Sequence, residues 1–284
     1  MSDESRGAGY AFVMPAVVLM VVILGFPAIA SVFQSFGAGG SAPMGLGAYR
    51  RLLGDAEFAR TLFNTALFVG TVVSLHLVLG LGVAMLLNLD MKARWLFRVI
   101  AILPWTMPDV IGGLIFRFIF DTLTGGINAV MQRLDLPGPI DWLGDPSLSL
   151  LSVIVAETWR GYPYVMLILL AGLQAIPRDQ YEAAEIDGAG AWKKFRHITL
   201  PNLRTMILLA VVLDAIWECR LFGMVYGMTG GGPGYATQNL SLQVYKNYFQ
   251  FFDTAYASSI AVVLAAILMV LAVPYVRLTL KEDK

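Results

Sequence analysis

Three stretches of this chain place ionisable and aromatic side chains together at helical spacing. In 205–228, Asp214, Trp217, Glu218 and Leu221 follow i, i+3, i+4, i+7 and share one face of a helix. Glu157, Arg160, Gly161 and Tyr164 repeat the pattern in 149–174, and Trp105 and Asp109 stand four apart beside Pro104 and Pro108. The chemistry such faces offer is recognition of a hydroxyl-rich ligand: carboxylates accept hydrogen bonds, a guanidinium donates them, and indole and phenol rings stack on a sugar ring. The plainer reading is an inter-helix ion-pair network in which Glu157 neutralises Arg160; the aromatics favour the first, since ion pairs have no need of them.

These faces belong to helices in lipid. Of 284 residues, 57% are apolar and only 14% charged, where soluble proteins carry about 25% charged. So few charges cannot cover a water-soluble surface. A span needs about 20 apolar residues, and six stretches qualify: about 11–33, 62–89, 95–120, 149–174, 205–228 and 254–276. The expected fold is all-α: one polytopic membrane domain over 1–284 with six transmembrane helices. The middles of the third, fourth and fifth spans fall near 108, 162 and 217, so the polar faces lie at one depth. A charge there costs at least about 2.5–3.5 kcal/mol. Asp109, Glu157, Arg160, Asp214 and Glu218 must therefore face one another, a partner or a watery path.

Basic loop residues orient the chain. Lys92, Arg94, Arg98, Arg178, Lys193, Lys194, Arg196 and Arg204 crowd one side; Arg50, Arg51, Arg60, Arg133 and Lys246 are the sparser opposite set. Both termini are expected in the cytoplasm. The polar start MSDESRGAGY lacks a basic region with a cleavage site, so the first span is expected to persist. Zero formal net charge gives no bulk attraction to nucleic acid. One cysteine, Cys219, excludes an internal disulfide and reads as a small buried residue; His76 reads as packing between helices. Arg117 and Asp121 read as an interfacial pair. Gly70, Gly80 and Gly82 suit close helix packing, and Gly230–Gly232 is no phosphate loop because no Lys-Ser/Thr follows.

The cytoplasmic loop 176–203 is far longer than a connector of two helices requires. It reads as helix, turn, helix, with Gly188 and Gly190 at the break and a second short amphipathic helix from Ala191 to Ile198 that stops before Pro201. Such a unit lies on lipid headgroups or docks in a groove of another protein. Glu182-Ala183-Ala184, then Asp187-Gly188-Ala189, then Ile198-Thr199-Leu200-Pro201, resembles the EAA loop of ABC importer permeases. Met228-Thr229-Gly230-Gly231-Gly232-Pro233 resembles a carbohydrate-importer signature, and 102–109 and 158–165 resemble spans of the larger permease subunit of the maltose transporter, although this chain lacks that subunit's extra N-terminal spans and large outer domain.

The resemblance implies a permease of the bacterial or archaeal plasma (inner) membrane that forms half of a sugar path. Glu182, Ala183, Ala184, Asp187, Gly188 and Ala189 would couple to a cytoplasmic ATPase, and His197 would lie in the docking loop. Trp105, Asp109, Arg160, Gly161, Tyr164, Trp217, Glu218 and Leu221 match sugar-contacting positions, with Glu157 and Asp214 joining them on the polar faces. The partners implied are a second related permease, two ATPase subunits carrying ATP and magnesium, and an external solute-binding protein; the chain itself would hold no cofactor. Asp109 and Arg160 replace uncharged residues of the maltose subunit, and Arg160 would suit an anionic sugar. Two rivals use the same residues differently. An ion-driven secondary transporter would use the carboxylates as relays, and an intramembrane enzyme would pair two acids, for which no catalytic motif is present.

Overall fold

The computed structural model describes residues 3–37 and 44–282, and no strand occurs among them. The helices, in chain order, are α1 (3–35, with a π turn at Val21–Gly25), α2 (Gly47–Gly54), α3 (Ala56–Asn88), α4 (Arg94–Thr106), α5 (Asp109–Ile119) and α6 (Gly126–Arg133). They continue as α7 (Ser149–Gln174), α8 (Arg178–Ile186), α9 (Ala191–Cys219), α10 (Gly223–Met228), α11 (Leu240–Tyr245) and α12 (Thr254–Glu282). Among the described residues, five stretches are long and apolar enough to cross a membrane: Phe12–Ser35 of α1, α3, α7, α9 and Thr254–Arg277 of α12. The bent pair α4–α5 makes a sixth if it counts as one span.

Three sequence expectations are corrected. The span at 95–120 is two helices meeting at 93°. Pro108 pushes the residue before it out of helical geometry, and Met107 is extended at ψ 127°. The span at 205–228 ends at Cys219, and α10 begins after a break at 220–222. The second loop helix does not stop before Pro201: it opens into a π turn, Phe195–Thr199, and runs on as α9. The wide turn precedes the residue that lacks an N–H, and the Asn202 side chain donates to the Ile198 carbonyl at 2.7 Å.

The chain forms two compact units. One comprises residues 1–58 and 243–265. The apolar side chains of α1 from Phe12 to Phe33 are largely exposed, as a lipid-facing surface would be. Asp55 caps α3 by accepting the Glu57 N–H at 2.8 Å. Arg51 bonds to Asp253 at 2.5 Å and lies 4.3 Å over the Tyr256 ring, while the Tyr256 hydroxyl donates to Asp55.

The other unit, 59–242 and 266–284, contains the segments read as functional. Its core joins Ala84 and Leu87 of α3, Ala101 of α4, Val165, Met166, Leu169 and Leu173 of α7, and Leu203 and Ala210 of α9. A Cβ on Gly80 would sit 2.9 Å from the Met166 backbone nitrogen, so α3 and α7 touch almost backbone to backbone. Gly113 and Gly227 do the same for α5 and α10, where an added Cβ would meet main-chain oxygen at 2.8 Å on either side. Between α5 and α7, buried Asn128 binds the segment together: it donates to the Thr122 and Ile140 carbonyls and accepts from the Ile140 N–H and the Trp142 indole. Asp121 does not form the expected ion pair with Arg117. Its carboxylate accepts the Thr124 N–H and hydroxyl and the Leu123 N–H, and these bonds hold its pKa below the ordinary carboxylate value, with Arg117 adding only a small Coulombic share.

Candidate functional site

The polar faces of α7 and α9 meet, and the turn ending α4 joins them. Trp105, Arg160, Gly161, Tyr164, Asp214, Trp217 and Glu218 line one cleft. Three aromatic rings form a row along it: Trp105 stacks on Tyr164 at 6.0 Å between centroids, and Tyr164 on Trp217 at 6.2 Å. Trp217 is 50% exposed and Trp105 36% exposed, so both ends of the row are accessible from outside this chain. The cleft behind it reaches about 10 Å³, room for about one water. A ligand ring would therefore lie against the row, not inside the cleft.

The charges are arranged in two buried pairs and one orphan. Arg160 donates to both oxygens of Glu157, through Nε at 3.0 Å and a terminal nitrogen at 2.5 Å, a fork-to-carboxylate contact. Asp214 is held by His76 of α3, whose Nδ1 lies 2.9 Å from one carboxylate oxygen. The other ring nitrogen, Nε2, lies 3.2 Å from the Glu157 carbonyl of α7. Glu218 is 1% exposed, and its Oε2 has no hydrogen-bond partner. The pair gives His76 more than the packing role its sequence position suggests; no local pattern links it to Asp214, 138 residues away.

Four expected members sit differently from the rest. Asp109 begins α5, across the 93° bend from Trp105, so the two are not neighbours on one helix. Its carboxylate packs where a Cβ on Gly223 would be, 2.7 Å away. Leu221 falls in the break after α9, and its carbonyl accepts from Asn239 at 2.6 Å. Glu157 lies behind Arg160, with no exposed surface. Gly161 has no Cβ because the His76 ring occupies its place: the added atom would lie 2.3 Å from Cε1. Sequence reading missed the contact of Gly113 with Gly227 and Asp109 with Gly223, although Gly223-x-x-x-Gly227 is a close-packing signal.

The residues of the 176–203 loop lie together at the other end of α9. Glu182, Ala183, Ala184 and Glu185 form the second half of α8, with Ala184 half-buried and the other three exposed. The helix closes in a Schellman turn: the Gly188 N–H donates to the Glu185 carbonyl at 3.0 Å, and the Ala189 N–H to Ala184 at 2.8 Å. Gly188 has φ +71°, a conformation glycine adopts without steric cost. Three contacts fasten α8 to the start of α9: Tyr181 with Thr199 at 2.9 Å, Gln180 with Asn202 at 3.0 Å, and Glu185 with Lys194 at 2.6 Å. His197 is exposed and its Nδ1 lies 3.1 Å from the Lys193 carbonyl.

A body of long apolar helices, with an exposed loop fastened to the root of α9 and buried charges towards its far end, has the make-up of a multi-span membrane subunit. Residues 76–279 match the model of the binding-protein-dependent transport system inner membrane component, and the chain belongs to that family. It is 36% identical over 276 residues to the sulfoquinovosyl glycerol transport system permease protein of Agrobacterium fabrum, covering 95% of this chain and 89% of that one. To the trehalose/maltose transport system permease protein of Thermococcus litoralis it is 34% identical over 274 residues, covering 95% and 92%. The fold matches a solved bacterial ABC transporter involved in import of the acidic polysaccharide alginate, with TM-score 0.84 and 20% identity over 99% of this chain and 98% of that one.

Proposed function

We propose that the chain is one permease of an ATP-driven importer for a sugar or sugar derivative, working with a second related permease, two ATPase subunits and an external binding protein. The relatives support the substrate class, since their names specify a sulfoquinovosyl glycerol and a trehalose/maltose system. One observation carries the mechanical part. The 29-residue α9 begins in the coupling loop and ends at the cleft, an unbroken path of about 40 Å. It bears Lys194 and Thr199, which hold α8, and also Asp214, Trp217 and Glu218.

In this reading the ATPase grips α8, its closure displaces the root of α9, and the far end of α9 moves its share of the path. The loop 176–203 and both termini face the cytoplasm. ATP and magnesium stay on the partner chains. The sugar stacks on the Trp105–Tyr164–Trp217 row, outside the cleft in which Glu218 is buried. Arg160 is a poor anchor for an anionic group, because Glu157 already takes its charge and Glu218 lies beside it. The ion-driven alternative is weaker: Glu157 and Asp214, two of its supposed relays, are each committed to a buried partner.

The test is site-directed cross-linking of Glu182→Cys or Ala184→Cys to cysteines on the co-expressed ATPase, in a background with Cys219→Ser. Cross-links dependent on the nucleotide state are expected. Uptake by the purified chain in liposomes without any ATPase would overturn the proposal.

A further inference from the structure

Two cavities of the larger unit meet at Arg98 and Gln174, and their linings differ sharply. One, of about 230 Å³, is walled by Ile102, Met166, Leu167 and Leu170. The other, of about 650 Å³, opens towards the 176–203 loop and is lined by Arg94 and Arg178 and by two acids, Asp90 and Glu185. Arg98 stands at the junction. Its Nε is buried and has no hydrogen-bond partner, and no ion pair involves Arg98 or Arg178 among the described residues. The nearby acids are already engaged: Asp90 holds Arg94 at 2.6 Å and Glu185 holds Lys194 at 2.6 Å. A buried guanidinium nitrogen without an acceptor is costly, and more so towards the apolar end of a span.

We infer that this paired cavity binds an anionic phospholipid, with the phosphate on Arg98 and Arg178 and one acyl chain along Ile102, Met166 and Leu170. The order of the linings is that of the lipid, apolar towards the middle of the spans and basic towards their loop end. A guanidinium fork matches two phosphate oxygens, and basic pockets between spans suit anionic headgroups. A free inorganic anion would use the arginines alone and leave the apolar cavity without a role. The inference needs only that the chain spans a bilayer, so it stands apart from the substrate and from the direction of transport.

Native mass spectrometry of the purified transporter complex, taken from nanodiscs of equal phosphatidylglycerol and phosphatidylcholine, tests it. Wild type should retain phosphatidylglycerol preferentially. Arg98→Gln should lower that retention about fivefold, the effect of one basic residue at a lipid headgroup, with Arg98→Lys intermediate and exposed Arg133→Gln unchanged. Ala171→Trp, at an exposed position on the wall of the apolar cavity, should also displace the lipid while leaving the arginines intact, so the inference survives a folding failure of Arg98→Gln. Unchanged retention in both Arg98→Gln and Ala171→Trp would overturn it. So would full displacement of the lipid by millimolar inorganic phosphate, which would mark a site for free anions.

Discussion

His76 and Asp214 form a buried pair across two spans, with Nδ1 2.9 Å from the carboxylate and the imidazole filling the place of a side chain on Gly161. Both ring nitrogens are engaged, so the ring cannot swing aside cheaply. Gly161→Ala puts a methyl group 2.3 Å from Cε1 and should destabilise the fold by about 1–3 kcal/mol, the usual cost of overpacking. Thermal unfolding of the detergent-purified complex measures this. The double variant Gly161→Ala/His76→Ala should regain less than the whole loss, because it relieves the clash but leaves Asp214 buried without its partner. An unchanged unfolding temperature in Gly161→Ala would show that the ring is not fixed there.

Arg160 and Glu157 make a second prediction. With Glu157 fully buried, Arg160→Ala strands a carboxylate and should cost about 3–5 kcal/mol; Arg160→Ala/Glu157→Gln should restore much of it. Chemical denaturation of the four-variant cycle gives the coupling. The same variants separate structure from selectivity. Arg160→Ala should depress uptake of neutral and anionic sugars alike, whereas loss confined to anionic sugars would make Arg160 an anion anchor after all.

What the sequence disclosed depended on range. Composition and span length are summed over many residues, so they gave the membrane class and the approximate spans. The i, i+3, i+4 faces of α7 and α9 are local and were legible, and so was the loop motif through Gly188. Contacts between distant segments were not. The pairing of His76 with Asp214 depends on α3 and α9 lying together at Gly161, which no local pattern records. Proline was the main source of error, with opposite outcomes at two sites. Pro108 stands where a span turns through 93°, with Met107 in the extended conformation that a following proline favours, while Pro201 was absorbed by the π turn before it and left Leu200 helical. A proline's sequence position signals a disturbance without saying which of these follows.

The aromatic row makes a prediction about affinity. If a sugar ring rests on Trp217, which is half-exposed at the end of the row, Trp217→Ala should weaken apparent affinity by about 1 kcal/mol, roughly fivefold in KM. Trp217→Phe should retain most of it. Uptake of labelled sugar by proteoliposomes of the full transporter supplies the measurement, and an unchanged KM in Trp217→Ala would remove the ring from the path. Because Trp217 lies far from α8, the ATPase rate without substrate should stay close to wild type.

Gly188 separates the loop's shape from its surface. It sits at φ +71°, where any other L-residue meets its own carbonyl, and both Schellman hydrogen bonds depend on that conformation. A Cβ there would touch nothing within 4 Å, so the penalty of Gly188→Ala is conformational and not a clash. It should amount to about 1–2 kcal/mol, spent locally on unravelling the end of α8 and disturbing Glu185, whose bond to Lys194 ties α8 to α9. Membrane insertion and unfolding temperature should change little, while substrate-stimulated ATP hydrolysis and uptake fall together. Gly188→Asn, which tolerates the left-handed conformation better, should lie between. Uptake lost with full ATPase stimulation in Gly188→Ala would place the defect beyond the loop. Normal activity in both would mean that α8 engages the ATPase without its Schellman turn.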